Sequence, residues 1–147
     1  MKLSKHSSQF SDVLISSGVN FNDDRGRFKK TIFGDQVLEI MGDIKELLCV
    51  NSHKNVIRGL HFQLPPNASS KFLTCVNGKI LDVFLDIRKN SKNYGKFGVQ
   101  ILEDKDENGL FIPKGYAHGY SVISDKATVV YLQSENYNED SDFGINP

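Results

Sequence analysis

Residues 71–88 read KFLTCVNGKILDVFLDIR. Two β-rich, alternating runs flank Asn77-Gly78, the dipeptide best suited to the positive φ angles of a type I′ turn. The pattern predicts a hairpin in which Val76 pairs with Lys79, Cys75 with Ile80, Leu73 with Asp82 and Lys71 with Phe84. Side chains of a strand alternate between faces, so Lys71, Leu73, Cys75, Ile80, Asp82 and Phe84 share one side. The opposite side carries Phe72, Thr74, Val76, Leu81, Val83, Leu85 and Ile87 and reads as the core face. Lys71 and Asp82 would be diagonal neighbours on the first side. A charged pair beside Leu, Ile and Phe fits either an exposed sheet surface or the lining of a polar cavity.

Outward from this unit, further strands are expected in GLFIP, FGVQIL and SVISDKATVVYLQ. One short helix is expected in GDQVLEIMGD, with Asp35 as N-cap, Val37, Leu38 and Met41 at helical spacing and Gly42 as the stop. Many short strands with a single helix predict an antiparallel sandwich or small barrel. At 147 residues without a repeat or linker, positions 1–147 suit one domain.

Composition narrows the function. Eighteen basic residues balance eighteen acidic ones, so no overall field favours nucleic acid or an anionic membrane. No apolar run approaches the ~20 residues of a membrane span, and MKLSKHSSQF lacks the apolar core of a signal peptide, which points to the cytoplasm. Cys49 and Cys75 lie in separate apolar runs and read as reduced, buried thiols.

The candidate chemistry lies in NVIRGLHFQLPP, residues 55–66, where Arg58 and His61 interrupt an apolar strand. Strict alternation would send them to opposite faces. A bulge near Gly59 would turn both to one side, facing a wet concavity rather than packed core. His118, in IPKGYAHGYSV, is the second histidine of interest; His6 and His53 lie in polar stretches. Taken singly, each histidine is more often structural than catalytic. Metal ligation is disfavoured because there is no His-x-His pair and no glutamate follows His61 at ligand spacing. No serine sits in a nucleophile-elbow pattern.

Five fragments in order, RGLHFQ, the following Lys71, ILDVFLDIRKNSKNYGKFG, FIPKGYAHGYSVIS and VVYLQSENYN, resemble the dTDP-4-dehydrorhamnose 3,5-epimerase family. DDRGRF, residues 23–28, is similar to its N-terminal motif. The resemblance covers roughly residues 20–146. It implies a double-stranded β-helix, a cupin-like jelly roll, in a homodimer with exchanged N-terminal strands. It also implies a nucleotide-diphosphate sugar as substrate, with no metal or organic cofactor. By position, His61 matches the general base, Tyr131 the acid on the opposite ring face, and Lys71 the cation at the ketone oxygen. Arg58, Asp82 and His118 match further pocket positions, Gln63 and Phe28 fall within substrate-binding motifs, and Arg25 and Tyr137 match contacts to the phosphates and the base. Lys29 stands where the family commonly has an acidic residue. The family's carboxylate partner of the base lies past the segment matching DFGINP, so Asp82 or a backbone carbonyl is expected to orient His61. The implied reaction is epimerisation of a 4-keto-6-deoxy sugar at C3, C5 or both. Alternatives are a 3,4-ketoisomerase or a non-catalytic sugar-nucleotide binding subunit.

Overall fold

Both runs of the opening stretch are strands, β7 (Lys71–Asn77) and β8 (Lys79–Asp86), in the computed structural model, which describes residues 2–146. They do not pair with each other. β7 lies between β10 (Asn108–Ile112) and β12 (Lys126–Gln133), whereas β8 lies between β9 (Phe97–Glu103) and β11 (Tyr116–Val122). The expected hairpin register is therefore absent. Gly78 has φ +79° while Asn77 is not in the left-handed region, so the two positive φ angles of a type I′ turn are not met. A side chain at Gly78 would strike the carbonyl of Lys126. Asn77-Gly78 is a corner that carries the chain from one sheet to the other.

The remaining elements are β1 (Lys2–Lys5), β2 (Leu14–Ser17), β3 (Val19–Asp23), β4 (Gly26–Lys30), α1 (Gly34–Met41), β5 (Glu46–His53), β6 (Ile57–Gln63) and β13 (Asp142–Gly144). A six-stranded sheet runs β1-β2-β10-β7-β12-β5 and a five-stranded sheet runs β13-β6-β11-β8-β9, with β3 and β4 as a separate hairpin. From β5 to β8 each successive strand changes sheet, and the alternation resumes from β10 to β12. The architecture is the expected double-stranded β-helix with one short helix.

Facing sheets explain which part of the first reading survives. Lys71, Leu73, Cys75, Ile80, Asp82 and Phe84 do share one environment, because both strands direct them into the space between the sheets, where all six are buried. This is the core side; the face expected to be core is the outer one. Val76 is exposed, and Leu81, Val83, Leu85 and Ile87 are only partly buried. Phe72 is covered by Val37 and Met41 of α1 together with Phe111.

At one end of the sandwich Phe10, Ile80, Phe84, Leu102, Leu110 and Val122 fill the interior. Phe10 and Tyr116 meet Phe84 edge-on, with ring centres 5.2 and 5.9 Å away. Helix α1 starts two residues earlier than the Asp35 cap would require. Phe33 occupies the cap, Asp35 lies in the first turn, and Gly42 ends the helix as expected, its N–H donating to Leu38 O. Cys75 is buried, but Cys49 points outward from β5, the edge strand, and is exposed.

Candidate active site

Strand β6 carries the irregularity that builds the site. Its register with β11 matches Arg58 to Tyr120 and His61 to His118, leaving Gly59 and Leu60 opposite Gly119 alone. The bulge needs glycine: Gly59 has φ +94°, and a side chain there would strike the carbonyl of His118. The Gly59–Leu60 peptide is cis. The bulge brings Arg58 and His61, three residues apart, to one cavity of about 420 Å³ lined also by His118, Lys71 and Tyr131.

Within the cavity His61 bridges two charges. Its Nδ1 is 3.4 Å from Asp142 Oδ1 and its Nε2 is 3.3 Å from Lys71 Nζ. The carboxylate accepts the Nδ1 proton, which leaves the Nε2 lone pair toward the ammonium and the cavity. Burial, then the positive charge of Lys71 and the proximity of His118, pull His61 down to about 4, with Asp142 opposing. Burial likewise pulls Lys71 down to about 8, and the carboxylates of Asp142 and Asp82 resist that fall. At neutral pH the site thus holds a neutral imidazole against an ammonium.

His118 and Asp82 are packed behind this pair. Asp82 Oδ2 accepts from His118 Nε2 at 2.8 Å, with both side chains buried. Burial pushes the Asp82 carboxyl up, and His118 and Lys71 pull it back. Asp82 does not contact His61; the expectation that it orients the base is corrected, because Asp142 of β13 takes that place. β13 pairs with β6 over three residues, matching Gly144 to His61 and Asp142 to Gln63.

Tyr131 projects from β12 between Leu73 of β7 and Leu48 of β5. Burial first, then the charge of Asp82, raises its phenol well above the ordinary tyrosine range, so it stays protonated. Arg58 is half-fixed: its Nε donates to Ser52 Oγ at 2.8 Å, and Ser52 is 3.1 Å from the Tyr120 hydroxyl. Ser52 and Tyr120 carried no signal in the sequence beyond their place on strands.

Other candidates lie apart from the cavity. The Gln63 amide is committed to backbone, donating to Asn67 O at 2.8 Å and accepting from the Asn138 N–H at 2.6 Å. Tyr137 is exposed and borders a smaller hollow, with Gln63 and Asp142, on the far side of His61 and Lys71. Arg25 and Phe28 belong to the β3–β4 hairpin and line a surface hollow of their own, where Arg25 pairs with Asp23 at 2.5 Å. Lys29 anchors the hairpin by donating to Cys75 O at 2.9 Å. Among the described residues no three metal-ligating side chains cluster.

Comparison with known proteins places this geometry. The family model for dTDP-4-dehydrorhamnose 3,5-epimerase matches residues 7–147. The dTDP-4-dehydrorhamnose 3,5-epimerase of Escherichia coli (strain K12) is 39% identical over 140 residues, covering 93% of this chain and 76% of that protein. Among solved structures, dTDP-6-deoxy-D-glucose-3,5-epimerase from Legionella pneumophila, in complex with dTDP-4-keto-L-rhamnose, superposes with a TM-score of 0.89 at 28% identity, covering 99% of this chain and 77% of that one. NovW, a 4-keto-6-deoxy sugar epimerase of Streptomyces spheroides, gives 0.90 at 30% identity, covering 100% and 74%. The chain, with its jelly roll and its histidine–lysine–tyrosine cavity, belongs to the dTDP-4-dehydrorhamnose 3,5-epimerase family of isomerases.

Proposed function

We propose that the cavity inverts C3, C5 or both in a nucleotide-linked 4-keto-6-deoxy sugar, through an enolate and without a cofactor. The observation that carries this reading is the convergence of His61, Lys71 and Tyr131 on one hollow from three different strands. The C–H beside a ketone becomes removable when the enolate oxygen is stabilised. Lys71, buried and with its charge favoured by the fields of Asp142 and Asp82, supplies that charge; removing such a group typically costs ~100- to 1,000-fold in rate. His61 Nε2 takes the proton, the C–H electron pair becomes the C=C bond, and the carbonyl π pair moves to oxygen. Tyr131 then delivers its hydroxyl proton to the opposite face as the ketone re-forms. Solvent returns the proton from His61 to the phenolate and closes the cycle. Acid–base groups of this kind each contribute typically ~100- to 10,000-fold.

Arg58 and His118 complete the sugar pocket in this reading, with Asp82 holding His118. A homodimer gives Arg25 and Phe28 their role. Phe28 is 57% exposed and Phe21 beside it 62%, on a hairpin that contributes no residue to the lining of its own cavity. A partner's hairpin at each cavity would add an arginine for phosphate and an aromatic ring, with Tyr137 against the base. The unpaired Cys49 and Cys75 support a reducing, cytoplasmic setting.

The test is incubation with dTDP-4-keto-6-deoxyglucose in deuterated water. Deuterium is expected at C3 or C5, with inversion at the labelled carbon by NMR. A folded protein that leaves both positions unlabelled overturns the reading.

A further inference from the structure

The polar groups of the cavity are unevenly distributed. Leu48 and Val50 occupy alternate positions on β5, opposite Tyr131 and Val129, and both line the hollow; Ile57 adds a third aliphatic group from β6. The nearest polar side chains along that wall are already engaged. Gln133 donates to Glu46 at 3.4 Å, Glu46 accepts the Tyr137 N–H at 2.9 Å, and Ser52 holds Arg58 and Tyr120. A sugar hydroxyl pressed against Leu48 or Val50 would lose its water and gain no partner.

The strip is longer than one methyl group. Alternate strand positions lie about 7 Å apart, whereas a single carbon group covers the ~4 Å of one van der Waals contact. The C6 methyl of a 6-deoxy sugar therefore fills only part of it. C3, C4 and C5 are occupied by the chemistry, C1 carries the nucleotide, and C2 is the remaining ring carbon that ordinarily bears a hydroxyl. Resting on the proposed reaction, we propose that Leu48 and Val50 are specificity-determining residues that favour a 4-keto-2,6-dideoxy sugar nucleotide over its 2-hydroxylated counterpart.

The discriminating experiment compares dTDP-4-keto-6-deoxyglucose with dTDP-4-keto-2,6-dideoxyglucose by kcat/KM for deuterium exchange. Calorimetric affinities for dTDP-glucose and dTDP-2-deoxyglucose, which undergo no exchange, are measured in parallel. Wild type should favour the 2-deoxy compound about 10- to 100-fold, the range an apolar subsite imposes on an added hydroxyl. Leu48→Asn and Val50→Ser, checked for unchanged thermal unfolding, should each cut that preference several-fold by improving use of the hydroxylated compound. Equal use of both sugars by wild type, or a ratio unmoved in both variants, overturns the inference. Absence of exchange with either sugar alongside a preserved calorimetric preference would remove the proposed reaction and leave the subsite standing.

Discussion

Two carboxylate–imidazole pairs stand on neighbouring strands of the five-stranded sheet, and they differ in almost every physical respect. Asp82 and His118 are 2.8 Å apart and closed off from water; Asp142 and His61 are 3.4 Å apart, with about half of the imidazole open. The first pair joins β8 to β11, which match over seven residues; the second depends on β13, which meets β6 over three. A buried pair with short geometry sets shape and charge and has little freedom to exchange protons. The looser pair leaves Nε2 facing a cavity and can pass a proton to and from a substrate. Residue type alone would not separate the two histidines; their surroundings do.

The largest expected effect separates the pairs by activity. His61→Ala should lower deuterium exchange at the carbon beside the ketone by at least ~1,000-fold, within the span of general-base contributions. Its thermal midpoint should hardly move, because the side chain is half-exposed. Should exchange persist near the wild-type rate, the open pair is not the working one.

Asp82→Ala should do the reverse and strike stability. It strands the His118 Nε2–H in a dry site, and breaking a buried pair typically costs ~3 kcal/mol or more. For a domain of this size that corresponds to a fall of roughly 6–12 °C in Tm. Scanning calorimetry checks it. An unchanged midpoint would mean that the pair is not structurally coupled.

The two pairs also differ in how far they could be read in advance. Asp82 was legible only as one of two cases, a charge on an open sheet surface or in the lining of a polar cavity, because it alternates with Ile80 and Phe84. Gly59 was legible as a bulge because two charged residues three apart cannot otherwise share a strand face. Topology overrode two other signals. Asn77-Gly78 satisfies a hairpin turn locally, but one positive φ suffices for a corner, and pairing with β10 and β12 outweighs the turn preference. That choice also made the charged face the inner one. Asp142 left no trace, since SDFG has no periodicity and its value lies in a contact 81 positions away. Leu48 and Val50 carry no signal in the sequence beyond their alternate positions on a strand; only the hollow beside them gives them meaning.

The smallest expected effect tests Asp142 as a positioning residue. Asp142→Asn keeps the size of the side chain and a hydrogen-bond acceptor for His61 Nδ1 but removes the charge. A loss of about tenfold in kcat/KM is expected, a modest fraction of what removing the base itself would cost. The pH profile distinguishes this from simple loosening. The proposed reaction requires His61 neutral and Lys71 charged in the free enzyme, so activity should rise through about 4 and fall through about 8. Asp142 favours the protonated form of both groups, opposing the downward pull of burial. Its neutralisation should therefore move both limbs to lower pH, narrowing activity on the alkaline side first. A merely structural role would lower the plateau and leave both limbs in place, and that outcome would assign the orientation of His61 to the bulge of β6 rather than to the carboxylate.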